Sequence, residues 1–303
     1  MSDIQNKAFK TRMKVLKLTN DLKYYFTDGV TVNVVTSSEY KNKIKDDLML
    51  QKYLLDSGYK AKISAWEEND PADVNIIRSV WGYHKKVKEF LNFVNSTNTI
   101  NNKVLINDNI DKQKQFALLR LNDVQPVDTE FLNNINELHY KGGKLVVKPI
   151  VSASGDNTFI IENEQDLQKV SHLTNIMVQP FIDGISEGEI SVIAINRVVK
   201  YGIKRHTGVF TEYKKPEFIS RFNLDKEIQD IVKKILIIEE YKRAVIMRMD
   251  FVHTAQGYRV MEVELVDPDL FIETIPDPVL KKEVYEDLVH SVERYLSKVE
   301  VEE

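Results

Sequence analysis

Two apolar runs separated by a short turn lie near the carboxyl end of the chain, in residues 244–271 with the sequence AVIMRMDFVHTAQGYRVMEVELVDPDLF. Their β-branched and long apolar residues are typical of strands, and the intervening Ala-Gln-Gly is typical of a three-residue hairpin loop with Gly257 in the left-handed conformation. The segment therefore predicts an antiparallel hairpin.

The register of this hairpin follows from its turn. A loop centred on Gln256 pairs Asp250 with Glu262 and Arg248 with Glu264. Because strand side chains alternate between faces, all four point to one side of the sheet. The opposite, apolar face is predicted to carry Met247, Met249, Phe251, Met261, Val263 and Leu265.

Three carboxylates on one face of a hairpin need an explanation. Opposed like charges destabilise an antiparallel pair, and carboxylates removed from water need a cation or hydrogen-bond donors. One interpretation is a solvent-exposed face on which Arg248 balances part of the charge. The other is a divalent metal, since Mg²⁺ prefers oxygen ligands and leaves coordination positions for phosphate. The second interpretation predicts a nucleotide.

Composition narrows the classes of protein to consider. The chain has 303 residues, 43% of them hydrophobic and 29% charged, which is typical of a globular protein of about two domains. The net charge of −4 gives no basic footprint for nucleic acid, so small molecules are the expected partners. Without cysteine, disulfides, thiolate metal sites and a cysteine nucleophile are excluded. No apolar run has the length of a signal peptide or a spanning helix, so we expect no membrane partner and a cytoplasmic location. The oligomeric state stays open, with a homo-oligomer among the alternatives.

The order of predicted elements suggests two domains of mixed α/β and α+β class. Strands and helices alternate from about residue 30, and the polar run at residues 96–105 marks a domain junction. Two helices are predicted next, in DKQKQFALLRL and TEFLNNINEL, followed mainly by strands, a long helix, the hairpin and a last helix. We therefore expect an amino-terminal α/β substrate domain in residues 1–105 and an α+β domain in residues 106–303, with subdomains 106–182 and 183–303.

A phosphate-binding element is needed if the carboxylates hold Mg²⁺. The motifs G-x-x-x-x-G-K-[ST] and G-x-G-x-x-G are absent. Residues 144–161, KLVVKPIVSASGDNTFII, instead place Lys148 at a strand end before a loop of small residues whose backbone N–H groups could approach an anion. An ordinary hairpin with a Ser/Gly-rich tip is the alternative. The loop residues are Ser152, Ala153, Ser154 and Gly155.

The order VVKPIVSASGDNTF, VQPFIDGISEGEIS, MRMD and MEVELVDPDLF resembles the ATP-grasp superfamily, within it the prokaryotic glutathione synthetase-like ATP-binding group. The earlier IIRSVWGYH, residues 76–84, resembles a subgroup that includes the ligase closing the cycloserine ring. The resemblance implies the ATP-grasp fold with an amino-terminal α/β (pre-ATP-grasp) domain, and an enzyme that phosphorylates a carboxylate with ATP and lets an amine attack the acyl phosphate. A phosphotransferase on the same fold and a nucleotide-binding protein without turnover are the alternatives.

The resemblance also implies roles for the acidic hairpin. Asp250, Glu262 and Glu264 match metal-binding positions, with Glu262 bridging two Mg²⁺ ions for which Mn²⁺ is an alternative. Many relatives carry Asn in place of Glu264. Arg248 matches the arginine that steadies the oxygen of the tetrahedral intermediate, and a structural salt bridge to Glu264 is its alternative role.

The nucleotide contacts follow from the same resemblance. Lys148 and the loop of small residues match the phosphate site, and Lys112 matches an upstream nucleotide lysine for which Lys114 is a competitor. Glu189 is favoured over Glu187 as the ligand of the ribose hydroxyls. The adenine pocket is expected to include Gln179, Phe181 and Ile182, of which the last two could also be plain core.

Two further groups complete the expected site. Lys204 or Arg205 is expected to contact the γ phosphate, at the start of a covering loop in residues 201–215. A group at a strand end of the amino-terminal domain is expected to hold the substrate carboxylate, with packing under the following helix as the alternative for its aromatic members. This substrate group consists of Arg78, Ser79, Trp81 and Tyr83.

Overall fold

The computed structural model describes residues 29–70, 72–153, 155–206 and 213–302, with side chains to residue 296. Ser154, the middle of the expected covering loop and the chain before residue 29 lie outside the described residues. None of the described helices is both long and apolar enough to cross a membrane.

The first part of the chain forms a parallel four-stranded sheet in the order β2-β1-β3-β4. Its central strands are buried apolar runs, as expected for strands covered on both faces. We call this sheet with its two helices the N-terminal layer. Its elements are β1 (Thr31–Thr36), α1 (Lys45–Asp56), β2 (Lys60–Ala65), β3 (Val74–Ile77), α2 (Val87–Ser96) and β4 (Thr99–Ile100).

Two antiparallel sheets and four helices follow. The small sheet has the order β5-β8-β6-β7, and the large sheet has the order β11-β10-β9-β12-β13. The helices are α3 (Lys103–Asn109), α4 (Lys112–Leu121), α5 (Lys226–Ile237) and α6 (Pro278–Glu302). The strands are β5 (Glu130–Asn134), β6 (Leu145–Pro149), β7 (Phe159–Ile161), β8 (Thr174–Pro180), β9 (Glu189–Ile195), β10 (Val198–His206), β11 (Lys214–Ser220), β12 (Ile246–Thr254) and β13 (Gly257–Glu264).

Side-chain alternation gives the large sheet two different faces. On one face, Met249 and Phe251 pack with α4 and α5 through residues such as Phe116 and Val232. On the other face, apolar residues of β9, β10 and β12 share one core with α6 and the N-terminal layer; this core includes Val32, Ile195, Tyr201, Ile246 and Tyr285. The N-terminal layer and the large sheet are thereby joined through α6.

Two sequence-based expectations about elements were wrong. The segment TEFLNNINEL is not a helix: residues 130–134 form β5, which pairs antiparallel with β8, so tertiary pairing overrides local propensity. The strand expected in VNIIRSVWG, residues 74–82, ends at Ile77, and a short 3₁₀ helix covers Tyr83–Lys86. The polar run at 96–105 contains β4, which pairs with β3, and the start of α3 at Lys103; its role as a domain junction stays a prediction.

Candidate functional site

The face of the large sheet that joins α6 changes character along its strands. Apolar side chains such as Ile193 and Ile203 occupy one end, and the same face continues into Ser191, Arg205 and Asp250 at the other end. A period of two places these residues on one side. The polar end of the face is therefore the floor of a cleft, while its apolar end is core.

The hairpin of β12 and β13 supplies most of this floor. The predicted pairings of Asp250 with Glu262 and Arg248 with Glu264 are confirmed. The predicted position of the turn is wrong by one residue, because Thr254 pairs with Gly257. A β-bulge after Asp250 compensates for this shift, so that the pairs farther from the turn have the predicted register.

The bulge also overturns one side-chain assignment. Met261 was expected on the apolar face with Val263, but it lines the cleft beside Glu262. The extra residue of the bulge removes Met261 from strict alternation, so the period of two fails at this one position. The remaining members of the predicted apolar face are buried; they are Met247, Met249, Phe251, Val263 and Leu265.

Asp250 lies at the centre of an ion-pair network. Arg248 donates from Nε to Asp250 Oδ1 at 3.0 Å, and Arg205 donates from Nη2 to Asp250 Oδ2 at 2.7 Å. Ser191 Oγ donates to Asp250 Oδ1 at 2.7 Å, and Arg205 also pairs with Glu189 at 2.8 Å. Although burial opposes it, the two arginines hold the pKa of Asp250 below its usual value. The alternative pairing of Arg248 with Glu264 is thus replaced by a pairing with Asp250.

A second cation–carboxylate pair connects α4 to the hairpin. Lys112 Nζ lies 3.0 Å from Glu262 Oε1 and donates to the backbone oxygen of Ser152 at 2.8 Å. Despite burial, Glu262 raises the pKa of Lys112. Burial and then the neighbouring charge of Lys112 lower the pKa of Lys148. Two lysines close enough to repel one another form a natural site for an anion.

Three acidic groups meet where β13 ends. Glu264 Oε1 accepts hydrogen bonds from the backbone N–H groups of Val266 at 2.7 Å and Asp267 at 3.3 Å. Burial and then repulsion from Glu262 raise the pKa of Glu264. Burial and then the charge of Glu264 raise the pKa of Asp267 well above its usual value.

Carboxylate oxygens are the ligand type that a hard divalent cation prefers, but these carboxylates are not arranged as a metal site in this structure. Within the described residues, no three acidic or imidazole side chains are grouped as a metal site would require. Asp250 is turned to arginines, and Glu262 is turned to Lys112. The repulsion between Glu262 and Glu264 is, however, what a divalent cation would relieve. These residues fit Mg²⁺, and their assignment as its ligands stays a prediction.

One cleft of about 510 Å³ collects half of the predicted site residues. They come from the small sheet and its loop, from the large sheet and from the N-terminal layer. Lys112 contacts this group from beneath through Glu262. The predicted residues that line the cleft are Trp81, Lys148, Ser152, Gly155, Glu189, Arg205, Arg248, Asp250, Glu262 and Glu264.

The substrate group of the N-terminal layer is only partly in the cleft. Trp81 lines it, whereas Arg78, Ser79 and Tyr83 are buried and absent from its lining. Arg78 donates to the backbone oxygen of Pro268 at 3.0 Å. Tyr83 packs on the α2 side of the layer, which is the alternative expected for an aromatic residue here. Because β3 ends at Ile77, the chain turns before this group and buries three of its four members.

Several neighbouring alternatives differ in position, and their roles stay predictions. Glu189 is buried in the cleft, whereas Glu187 is exposed. Arg205 faces the cleft, whereas Lys204 belongs to the opposite face of β10, opposite Glu217 of β11. Lys114 pairs with Asp108 at 3.4 Å, away from the cleft.

The expected adenine group lies outside the cleft lining. Gln179 is buried and donates to the Thr129 hydroxyl at 2.9 Å. Phe181 lies beneath the ammonium group of Lys144, 4.2 Å from the ring centroid, and Ile182 is half-buried. Their part in binding adenine stays a prediction.

Sequence reasoning missed several cleft residues. Asp267 and Asp269 follow Glu264 in the quoted motif MEVELVDPDLF, and their spacing after a strand end was the available signal. His206, which lines the cleft, and Ser191, which is buried beneath it and donates to Asp250, carried no such signal, because their importance depends on which strands lie side by side.

The fold is that of the ATP-grasp proteins. Residues 95–271 match the family model described as RimK-like ATP-grasp domain, and residues 32–107 match the model described as the N-terminal domain of D-cycloserine synthetase DcsG. The first match spans more than half of the chain, so the chain belongs to the RimK-like ATP-grasp family. The predicted fold class and the predicted resemblance to the ATP-grasp superfamily are confirmed.

Solved structures of low sequence identity share the fold. The crystal structure of D-cycloserine synthetase DcsG matches with a TM-score of 0.72 and 18% identity, covering 86% of this chain and 99% of that chain. D-alanine–D-alanine ligase from Bacillus anthracis complexed with ATP matches with a TM-score of 0.64 and 17% identity, covering 91% and 99%. The ATP-grasp ligase PsnB, complexed with a phosphomimetic variant of minimal precursor, Mg and ADP, matches with a TM-score of 0.58 and 16% identity, covering 88% of this chain and 99% of that chain. No curated protein sequence matches the chain.

Proposed function

We propose that this protein is an ATP-dependent carboxylate–amine ligase that forms an amide-type bond through an acyl phosphate and releases ADP and phosphate. One observation carries the proposal: a single cleft is lined by Lys148 and the loop of small residues on one side and by the acidic hairpin with Arg205 and Arg248 on the other. The first side suits a polyphosphate, and the second suits the metal and the reacting oxygens.

Phosphate binding is assigned to Lys112 and Lys148. Their proximity lowers the pKa of Lys148 in addition to the effect of burial, so an anion between them would relieve a repulsion present in the protein alone. Ser152 and Gly155 line the same part of the cleft and offer close approach to backbone. Arg205 supports the γ phosphate in this assignment, and Glu189 supports the ribose.

Asp250, Glu262 and Glu264 would hold two Mg²⁺ ions, which when bound would neutralise the phosphates and orient the γ phosphoryl group. Arg248 remains charged, since Asp250 raises its pKa although burial opposes this. Its Nε and Nη2 atoms donate hydrogen bonds to Asp250. Because a guanidinium has five N–H groups, donors remain for a developing oxyanion.

The reaction has two steps. A substrate carboxylate oxygen attacks the γ phosphorus, the bond from phosphorus to the β,γ-bridging oxygen breaks, and ADP leaves. An amine nitrogen then attacks the acyl carbon, the carbon–nitrogen bond forms, and the bond from carbon to the phosphate oxygen breaks with loss of a proton from nitrogen. Arg248 is assigned to the oxyanion that forms between these events.

The proposed substrates are small, amino-acid-like carboxylates and amines, joined between two molecules or within one. Support comes from the structural relatives named for D-cycloserine synthesis and D-alanine ligation. We place this reaction in the cytoplasm, where ATP is available.

Hydroxylamine trapping tests the proposal. The protein is incubated with ATP, Mg²⁺ and a panel of amino acids and small peptides, and phosphate release and product mass are measured with and without hydroxylamine. A ligase gives a hydroxamate of the carboxylate substrate, because hydroxylamine intercepts the acyl phosphate.

A Glu262→Gln variant is the matched control, since it removes a predicted metal ligand and keeps the side-chain shape. A stable phosphorylated product that forms without any amine would instead indicate a phosphotransferase. Nucleotide binding without turnover across the whole panel would contradict the ligase proposal.

A further inference from the structure

The segment that follows β13 enters the cleft with two aspartates. Asp267 is 4% exposed and Asp269 is half-buried, and both line the cleft together with Phe271 and Trp81. The Oδ2 atom of Asp267 has no hydrogen-bond partner within the described residues. A buried carboxylate oxygen without a donor is costly, so its retention in a cleft points to a donor that arrives from outside.

Three other cleft carboxylates are already paired with cations. Asp250 and Glu189 pair with Arg205, and Glu262 pairs with Lys112. By contrast, neither aspartate of the segment forms an ion pair in the part of the chain that the structure describes. The Oδ1 atom of Asp269 accepts the N–H of Phe271, its neighbour in the turn, at 2.9 Å.

Buried donors from two directions hold the segment in place. Arg78 of the N-terminal layer donates from Nη1 to the oxygen of Pro268 at 3.0 Å, and Arg78 is 4% exposed. The hydroxyl of Tyr201, fully buried on β10, donates to the oxygen of Leu270 at 2.7 Å. These bonds lie on both sides of Asp269. The aspartates are therefore presented by a fixed backbone, as a recognition site requires.

The segment lies beside two residues of the proposed reaction site. Asp267 is close enough to Arg248, the proposed oxyanion residue, for the two charges to interact. Trp81 forms part of the same wall and is itself held edge-on by Tyr40, with ring centroids 4.9 Å apart and an interplanar angle of 80°. A cation between carboxylates and an indole ring is favourable.

We infer that Asp267, Asp269 and Trp81 form a subsite for the ammonium group of the amine substrate, beside the carbon it attacks. This inference rests on the proposed ligase function and narrows its amine substrate to a primary aliphatic amine that arrives as a cation. Arg78, expected from the sequence to hold the substrate carboxylate, is instead a positioning residue that fixes this subsite through Pro268.

Binding of a matched pair of probes tests the subsite without any turnover. Alaninamide carries an ammonium group at about pH 6.5, below the pKa of about 8 of an α-amino group, whereas lactamide has a hydroxyl in its place. Saturation-transfer NMR measures each probe on the full chain with a non-hydrolysable ATP analogue and Mg²⁺. We expect alaninamide to bind at least about tenfold more tightly than lactamide, because a hydrogen bond from an ammonium group to a carboxylate is charge-assisted, whereas the lactamide hydroxyl is a neutral donor.

Substitutions test which side chains bind alaninamide. Asp267→Asn is expected to weaken alaninamide by at least about tenfold and to leave the affinity for the ATP analogue with Mg²⁺ unchanged. Asp56→Asn, at an exposed position of α1, is the matched control and should change neither affinity. Should Asp267→Asn fail to fold, Trp81→Leu is the second variant, and we expect it to weaken alaninamide several-fold.

Three results would overturn the inference: equal binding of the two probes, no binding of alaninamide to the unaltered protein, or loss of Mg²⁺-dependent nucleotide binding in Asp267→Asn with alaninamide unaffected. The last would make Asp267 a metal ligand. Failure of the hydroxamate assay would count against the ligase function instead, so the two failures are distinguishable.

Discussion

Asp47 offers a quantitative test of how burial affects this fold. It lies in the first turn of α1 and is 2% exposed. Its nearest cation is Arg78, with Nε at 3.9 Å. Burial outweighs this attraction and raises the pKa of Asp47 from 3.8 to about 6.

The direction of the pH effect follows from this pKa. The folded protein keeps the proton of Asp47 to higher pH than the unfolded chain, so the free energy of unfolding falls as pH rises from about 4 to about 6 and this contribution is then constant. A difference of about two pKa units corresponds to about 3 kcal/mol. An asparagine has no proton to lose. We therefore expect Asp47→Asn to gain stability relative to the unaltered protein over this interval, by up to about 3 kcal/mol.

Urea unfolding followed by circular dichroism at several pH values between about 4 and 7.5 measures the effect. The quantity of interest is the difference in free energy of unfolding between the variant and the unaltered protein, because the other titrating groups cancel in it to first order. Asp56→Asn, exposed at the end of the same helix, should show a difference that does not change with pH. A flat difference for Asp47→Asn as well would refute the reasoning.

Two further predictions concern the cleft, and a third concerns the glycine that precedes β9. Glu262→Gln should abolish ATP turnover at all Mg²⁺ concentrations and keep the fold, because Lys112 retains its bond to a backbone oxygen; turnover at limiting Mg²⁺ would contradict the metal assignment. Lys148→Ala should weaken ATP binding in calorimetry, and an unchanged affinity would move the phosphate site elsewhere. Gly188→Ala should lower stability by about 1–3 kcal/mol, because its φ is +98° and a Cβ would lie 3.1 Å from the Arg205 oxygen; an unchanged melting temperature would contradict this.

The acidic hairpin was predictable because alternation and a turn motif determine which side chains share a face. The pairings of Asp250 and Glu262 were correct although the turn was misplaced by one residue, since a bulge compensates for the shift. That bulge lies where residues 125–127 pair with Val260. A contact between segments so distant in sequence leaves no local signal.

Tertiary contacts also explain the other errors. Residues 130–134 have helix-compatible composition, and pairing with β8 makes them a strand. At the end of β3, the sequence showed that Arg78 and Trp81 lie close together, but not that the chain turns to bury Arg78 and leave Trp81 on the cleft. Whether a residue meets solvent at a strand end depends on the neighbouring layer, which local patterns do not encode.

The N-terminal layer, α6 and the large sheet share one core. This shared core limits which parts of the chain can be exchanged with those of a relative. Residues from the first strand, such as Val32, and from the last helix, such as Tyr285, belong to one apolar cluster although they lie at opposite ends of the chain. A chimaera that replaced only the N-terminal layer would set a foreign surface against α6 and disturb the apolar core from which the Tyr201 hydroxyl holds the segment that carries Asp267 and Asp269. Exchange of substrate specificity between relatives should therefore require the two ends of the chain to be transplanted together.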